Sequence, residues 1–257
     1  MSTSVVGSDH VRAGLLVLVD AALAATVAVG DEQRLVVAVS DGAGSARFPE
    51  VGAHIACVTA LASLSLPTLA PPATGDGERA LAERLVADIQ QAIGVEAELR
   101  GAALRDFACT LLAAVVAPEW CLFLQIGDGA IVVSEAAAPA SYAWVFWPGK
   151  AEHVNETSFV TGSDAAQRID VAWRSAVVDE VAIFTDGLER LALDFANKVA
   201  HPAFFAPMLA AIRPIAAHDT SELQVTTAEL SAFLGSERIN ERTGDDKTLV
   251  LATRRGV

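Results

Sequence analysis

The stretch VVAVSDGAGSA at residues 36–46 is an aliphatic run that ends in Asp-Gly followed by small residues. The same arrangement recurs in LFLQIGDG at 122–129 and in VAIFTDG at 181–187. An acidic pair, Asp245 and Asp246, precedes a fourth apolar run at 248–253. Runs of this length and composition predict buried β-strands. If the strands are neighbours, several carboxylates meet at one rim and repel one another unless hard cations such as Mg²⁺ or Mn²⁺ neutralise them.

Composition predicts an ordered globular protein that does not bind nucleic acid. The chain has 257 residues, 53% of them apolar, and a mean hydropathy of +0.41, which supplies ample material for a core. Its 32 acidic and 18 basic side chains give a formal charge of −14. That charge opposes non-specific attraction to nucleic acid and to anionic membranes.

Cysteine usage and the N-terminal region predict a cytoplasmic protein. Cys57, Cys109 and Cys121 are odd in number and lie in apolar sequence, which is typical of buried thiols in a reducing compartment. The apolar stretch 15–29 is short, carries Asp20 and lacks the pattern of a signal peptide. We expect this stretch to be a core strand.

The order of apolar runs predicts one α+β domain over residues 1–257. The strand-like runs lie at 24–29, 35–39, 110–116, 121–126, 130–133, 142–146 and 181–184. The helical candidates lie at 49–63, 77–92, 187–196, 201–212 and 221–234. Strands in blocks and helices in pairs favour α+β layers over strict alternation. We interpret the proline-rich segment 64–76 as a surface loop between two helices.

Each Asp-Gly pair has an ordinary interpretation as a turn, in which Asp caps the backbone and Gly supplies a positive φ. Taken together, the Asp-Gly pairs indicate metal ligands as well as turns. Gly42 and Gly44 clear the space around Asp41, so that its carboxylate and a neighbouring carbonyl can face a metal. Asp186 emerges between a buried strand and a predicted helix that begins near Gly187, which is a rigid mount for a ligand.

Four motifs together resemble those of the metal-dependent type 2C serine/threonine protein phosphatases, in particular their compact bacterial branch. They occur in the order of that family: SDGAGSA at 40–46, QIGDGAIVV at 125–133, FTDGLERL at 184–191 and RTGDDKTLVLATR at 242–254. Each motif alone is weak evidence. The ordered set covers nearly the whole chain, from about residue 7 to residue 254.

The resemblance implies a four-layer α-β-β-α sandwich, in which helices flank two antiparallel sheets, with a binuclear Mg²⁺ or Mn²⁺ centre at one end. By motif match, Asp41 bridges the two metals and the Gly42 carbonyl binds one of them. Asp186 and Asp245 hold the other metal. Asp128 matches a family position that contributes to a third, more loosely held ion.

The resemblance also implies catalytic residues ahead of the first motif. The family has another acidic residue there, for which Asp20 is the candidate, although the family's Pro-Cys-Gln-Asp is replaced by LLVLVDAA. The alternative for Asp20 is a buried aspartate that caps a strand. His10 is the candidate proton donor to the leaving alkoxide and Arg12 a candidate phosphate ligand. The alternative for both is a solvated terminal residue.

Two further features allow more than one interpretation. Arg190 and Arg242 flank the acidic motifs, so they either orient the carboxylates or form ordinary salt bridges. Trp144, Phe146 and Trp147 in YAWVFWPG form either a core strand that runs into a turn or a loop that docks a partner.

These residues predict a phosphatase that removes phosphate from phosphoserine and phosphothreonine in proteins with a metal-activated water. No Cys-x5-Arg loop or Gly-x-Ser-x-Gly elbow occurs in the sequence, which agrees with hydrolysis without a covalent intermediate. Two alternatives stay open: a catalytically weak family member that acts as a phosphoprotein-binding regulatory module, and a phosphatase of small metabolites. The resemblance implies a signalling role, with a cognate bacterial Ser/Thr kinase or its targets and a von Willebrand factor A-like protein as partners.

Overall fold

A computed structural model describes residues 1–5, 18–72, 75–148, 157–216 and 219–254 of the chain. Within these ranges the protein is a mixture of antiparallel sheets and helices. This observation confirms the predicted α+β class.

The chain forms two compact units, each built from more than one segment. The first unit comprises Met1–Leu18, Gly129–Trp147 and Val178–Val257. The second unit comprises Val19–Asp128 and Pro148–Val177. The single domain over residues 1–257 stays a prediction.

The second unit contains a five-stranded antiparallel sheet in the order β2-β3-β4-β5-β8. Its strands are β2 Ala21–Val29, β3 Glu32–Ser40, β4 Leu111–Val116, β5 Cys121–Ile126 and β8 Asp170–Arg174. The central strands β4 and β5 are buried along their whole length, as their unbroken apolar runs predict. The prediction of a core strand over 15–29 is wrong in part, because β2 is an edge strand whose side chains alternate between partial burial and exposure. Residues 15–17 lie outside the described residues.

Three α-helices among the described residues belong to this unit, and the first of them packs on the sheet through small residues. They are α1 Pro49–Leu64, α2 Gly75–Arg100 and the short α3 Ala165–Arg168. Helix α1 approaches the backbone of Phe107 closely because Gly52 has no side chain. A Cβ on Gly52 would lie 2.1 Å from the carbonyl oxygen of Phe107. The predicted surface loop between two helices is confirmed, with its ends at Leu64 and Gly75.

The first unit contains a second five-stranded antiparallel sheet, in the order β1-β12-β9-β6-β7. Its strands are β1 Ser2–Val5, β6 Ala130–Glu135, β7 Ala143–Trp144, β9 Val178–Phe184 and β12 Lys247–Thr253. The helices of this unit are α4 Glu189–Ala192, α5 Pro202–Ile212, α6 Thr220–Leu234 and α7 Glu237–Asn240. Phe184, Phe205, Leu209, Leu234 and Leu249 belong to its buried core.

Two predicted elements of the first unit are wrong in extent or type. The predicted helix over 187–196 is a 3₁₀ turn at Asp186–Leu188, the short α4, and a hairpin of β10 Leu193–Asp194 and β11 Val199–Ala200. The helix ends there because the Asp194 carboxylate accepts hydrogen bonds from the backbone N–H groups of residues 196 and 197, at 2.9 and 3.0 Å, which turns the chain. The predicted strand over 142–146 is confined to β7.

None of the described helices combines the length and the apolarity that crossing a bilayer requires. The longest of them, α2, carries charged residues along much of its length.

Candidate metal centre

Asp41 and Asp128 reach the same rim of the sheet in the second unit. Strands β3 and β5 both pair antiparallel with β4, so they run parallel to each other and end at the same edge. Asp41 follows β3 directly, and Asp128 lies two residues beyond the end of β5. A carboxylate oxygen of Asp41 lies within 4.8 Å of one of Asp128.

Thr110, at the start of β4 between those two strands, fixes the backbone at Asp41. The Asp41 N–H donates to Thr110 Oγ1 at 3.0 Å, and the Thr110 N–H donates to the Asp41 carbonyl oxygen at 2.8 Å. The Ser40 hydroxyl donates to the Thr110 carbonyl oxygen at 2.6 Å. Two hydrogen bonds therefore hold the backbone of Asp41, and a third holds the residue before it, so the position from which the carboxylate extends is fixed by Thr110.

The two glycines after Asp41 differ in what a side chain at each position would meet. A Cβ on Gly42 would lie 2.7 Å from the backbone of Pro49, the first residue of α1. A Cβ on Gly44 would meet nothing within 4 Å. Gly42 therefore allows the start of α1 to approach the strand end, whereas Gly44 lies in open space.

Asp128 lies in a tight turn between two glycines of positive φ. Gly127 and Gly129 have φ values of +96° and +84°, which favour glycine. A Cβ on Gly127 would also clash with Thr110 Cγ2 at 2.5 Å. The Thr157 hydroxyl donates to Asp128 Oδ2 at 3.0 Å, which restrains one oxygen of this carboxylate.

In the first unit, Asp186 and Asp245 also reach one rim. Strand β9 ends two residues before Asp186, and the antiparallel strand β12 begins two residues after Asp245. The two backbones touch at Gly187, where a Cβ would lie only 2.0 Å from the carbonyl oxygen of Asp246. Glycine at this position is therefore what allows the two acidic segments to lie side by side.

The acidic pair before β12 is held by its own backbone and by a buried lysine. Lys247 is fully buried, and its Nζ donates to the Asp245 carbonyl oxygen at 2.9 Å. The Asp246 N–H donates to Asp245 Oδ1 at 2.9 Å. Asp245 is exposed, whereas Asp246 is only 2% exposed. Asp245 is thus the member of the pair that an ion from solvent can reach.

The geometry around Asp41 and Asp128 suits a divalent cation. Two carboxylates within 4.8 Å repel each other by at least about 3 kcal/mol at an effective dielectric constant near 20. A hard cation converts that repulsion into attraction, and carboxylate oxygens are the ligands that Mg²⁺ and Mn²⁺ prefer.

Comparison with known proteins decides the family. The family model described as protein phosphatase 2C matches residues 6–235, which is most of the chain. The chain belongs to the protein phosphatase 2C family. The prediction of a type 2C protein phosphatase is therefore confirmed.

Relatives in this family include one of high sequence similarity. The chain is 36% identical to serine/threonine-protein phosphatase 3 of Escherichia coli K12 over 254 residues, which cover 97% of this chain and 95% of the relative. Among solved structures it is similar to serine/threonine phosphatase Stp1 of Staphylococcus aureus, with a TM-score of 0.61 and 13% identity over 100% of this chain and 94% of that one. The catalytic domain of the phosphatase PstP, in a complex with two manganese ions, gives a TM-score of 0.52 and 18% identity over 91% of this chain and 96% of that one. These similarities confirm the predicted fold class, the four-layer α-β-β-α sandwich.

The residues predicted ahead of the first phosphatase motif are only partly described. His10 and Arg12 lie outside the described residues. Asp20 lies just before β2 and is 7% exposed, next to Ala21, whose carbonyl oxygen accepts a bond from the buried Cys57 thiol. The catalytic role of Asp20 stays a prediction.

The two arginines of the phosphatase motifs make no ion pair with a described residue. Arg190 and Arg242 are both exposed and line a groove of the first unit. Trp147 forms edge-to-face contacts with Trp144 and Phe195, at centroid distances of 5.4 and 5.3 Å. Trp144 lies in β7, and Trp144 and Trp147 are half-buried and pack against the core of the first unit, whereas Phe195 is exposed.

Sequence reasoning missed the residues that hold the acidic groups in place. Thr110 and Lys247 were visible in the sequence as single polar residues at the start of long apolar runs. A polar side chain that enters a buried strand needs a partner, and in both cases the partner is the backbone of an acidic residue. Thr157 follows no such pattern, because it contacts Asp128 from a segment 29 residues away.

Proposed function

We propose that this chain is a metal-dependent phosphatase that hydrolyses phosphoserine and phosphothreonine in proteins. Its centre would contain two Mg²⁺ or Mn²⁺ ions held by Asp41, the Gly42 carbonyl, Asp186 and Asp245, with a third ion at Asp128. The observation that carries the proposal is the pair of carboxylates of Asp41 and Asp128 within 4.8 Å at one strand rim.

Four further facts support this assignment. The chain carries the acidic motifs in the order of its family, and the family model spans them up to residue 235. A relative with 36% identity over nearly the whole chain is named as a serine/threonine-protein phosphatase. A similar structure contains two manganese ions. In the first unit, Asp186 and Asp245 lie at one rim, where Gly187 allows their backbones to approach each other.

The chain's own residues would position the ligands of the metal centre. When bound, the ions activate a water for attack on phosphorus and neutralise the phosphoryl oxygens. Thr110 holds the backbone of Asp41, and Thr157 holds one oxygen of Asp128. Lys247 holds the backbone of Asp245. We further propose that Asp20 and His10 act in catalysis, His10 as the proton donor to the leaving alkoxide.

The test is phosphate release from p-nitrophenyl phosphate and from a phosphothreonine peptide in the presence of Mn²⁺. The variants are Asp41→Asn and Asp186→Asn, and Asp88→Asn on the exposed face of α2 is the matched control. We expect either ligand variant, or a chelator, to lower kcat/KM more than about 100-fold, since outer partners of metal ligands alone cost 10–100-fold. The control should keep full activity.

The same experiment separates the alternatives. Binding of Mn²⁺ without turnover of any substrate would contradict the proposal and favour a regulatory phosphoprotein-binding module. Turnover of small phosphorylated metabolites, with none of phosphopeptides, would favour a metabolite phosphatase. A cognate Ser/Thr kinase and a von Willebrand factor A-like protein are proposed partners, and co-purification with each tests them.

A further inference from the structure

A groove on the helical side of the first unit combines an apolar floor with a cationic rim. We call it the arginine groove; it is lined by Arg190, Arg238, Arg242, His201, Phe204 and Phe233 among others. Its volume is about 660 Å³, and Met208 and Leu230 complete the apolar floor. Phe233 is 42% exposed although it is a large aromatic side chain on α6. Such a floor gains stability when a partner covers it.

The three guanidinium groups of the arginine groove have no ion-pair partner among the described residues. Six other arginines in the described part of the chain form ion pairs: Arg34, Arg79, Arg100, Arg168, Arg213 and Arg254. Arg190, Arg238 and Arg242 are exposed, and none donates a hydrogen bond to a described residue. Among the described residues that line the groove, Glu229 is the one carboxylate. Three positive charges against one negative charge make this a cationic patch on a chain of formal charge −14.

The arginine groove is tied by chain connectivity to the proposed metal ligands of the same unit. Arg190 follows Asp186 by four residues, about one helical turn, which is roughly 6 Å along an axis. Arg242 precedes Asp245 by three residues, which limits their Cα separation to about 10 Å. An extended peptide rises about 3.4 Å per residue. A peptide whose phosphate lay at Asp186 would therefore bring its second to fourth neighbouring residues to the groove.

We infer that the arginine groove binds the flanking residues of phosphoprotein substrates and selects an acidic side chain together with a large apolar one. This inference rests on the proposed function and adds the substrate class to it. The acidic side chain would pair with the guanidinium groups, for which planar bidentate contacts to carboxylates are favourable. The apolar side chain would cover Phe233 and the floor beside it. Charge complementarity also raises the rate of encounter with acidic peptides.

The test compares phosphothreonine peptides that differ only in their flanks. One carries Asp and Leu within four residues of the phosphothreonine, on either side; a second has Lys in place of Asp; a third has Ala in place of Leu. Each is also made with a non-hydrolysable phosphonate, so that Kd is measured by fluorescence anisotropy apart from turnover. The variants are Arg238→Gln, Arg238→Glu and Phe233→Ala. The matched control is Arg84→Gln, an exposed arginine on α2 without an ion pair to a described residue.

We expect Arg238→Gln to lower kcat/KM and raise Kd about fivefold on the Asp peptide, which is typical of one partly exposed charge pair. The effect should vanish on the Lys peptide, and Arg238→Glu should reverse the preference between the two. Phe233→Ala should cost about tenfold on the Leu peptide and little on the Ala peptide. Turnover of p-nitrophenyl phosphate, which has no flanks, should be unchanged in every variant.

The inference is overturned if the wild type does not distinguish the Asp peptide from the Lys peptide, or if Arg84→Gln has the same effect as Arg238→Gln. In either case, metal-dependent turnover of p-nitrophenyl phosphate and of the peptides would leave the proposed function standing. Absence of all turnover would instead refute the proposed function. In that case the Kd values of the phosphonate peptides still decide whether the arginine groove distinguishes their flanking residues.

Discussion

Replacement of Gly187 by alanine tests how the two acidic segments of the first unit are held together. A Cβ at this position would lie 2.0 Å from the carbonyl oxygen of Asp246. Ordinary van der Waals contact begins near 3.4 Å, so the Asp186 turn and the Asp245–Asp246 backbone must separate by about 1.4 Å. The obstructing atom belongs to the backbone, so a change of side-chain rotamer cannot relieve the clash.

The expected effects of Gly187→Ala concern both stability and activity. Overpacking of this kind costs about 1–3 kcal/mol of unfolding free energy, which corresponds to a fall in Tm of about 4–8 °C for a loss near 2 kcal/mol in a chain of this size. A misplacement of about 1 Å between groups that share an ion lowers the rate by about 100-fold. We therefore expect weaker Mn²⁺ binding in calorimetric titration, together with a fall in kcat/KM for p-nitrophenyl phosphate.

The control is Gly44→Ala, which adds the same methyl group to the first acidic motif. Its Cβ meets nothing within 4 Å, so stability, Mn²⁺ affinity and turnover should stay close to those of the wild type. Wild-type Mn²⁺ affinity and turnover in Gly187→Ala would show that the contact with Asp246 does not position the two acidic segments. So would an equal loss in the two variants.

Three further predictions concern the second unit, the thiols and pH. Tyr142 is the only tyrosine of the chain, and burial, followed by the nearby Glu180 carboxylate, raises its pKa, so the absorbance titration at 295 nm should have its midpoint above 10. Because the pKa of Tyr142 is raised in the folded protein, the free energy of unfolding should fall as pH rises from about 10 through the folded pKa. A fall of equal size in the Tyr142→Phe variant would contradict this prediction. Thr110→Val removes the acceptor of the Asp41 N–H, whereas Thr110→Ser keeps a hydroxyl there. The free energy of unfolding, measured with denaturant, should be about 1–3 kcal/mol lower in Thr110→Val than in Thr110→Ser. Equal stability of the two variants would count against this prediction. The three cysteines are buried, and burial raises the pKa of Cys109 to about 12, so none should react with a thiol reagent at pH 8 before unfolding; rapid labelling of the native protein would disprove this.

The acidic motifs were predictable from the sequence because their backbone context is local. An aliphatic run followed by Asp-Gly places a carboxylate at the end of a buried strand, and Asp41, Asp128 and Asp186 all lie where that rule puts them. The α+β class followed from the order of the apolar runs, whereas the sandwich followed only from the family resemblance. The contact of Gly42 with Pro49 was not predictable, because Pro49 approaches through tertiary packing.

Other features depend on contacts between segments that are distant along the chain. Gly187 looks like a turn glycine in the sequence, and its contact with Asp246 arises only when β9 pairs with β12. The predicted helix over 187–196 fails because Asp194 bonds to the backbone of the following turn, which outweighs a helical pattern of apolar residues. The arginine groove was likewise not predictable, since its walls come from helices that are separated by loops.

The proposed function depends on a pair of divalent ions held by the acidic motifs. Diffraction from Mn²⁺-soaked crystals at the manganese absorption edge tests it directly. We expect two anomalous peaks about 3.5–4 Å apart, with oxygens of both Asp41 and Asp186 within about 2.4 Å of a peak. Peaks that touch only one of these carboxylates, or none at either residue at millimolar Mn²⁺, would contradict it.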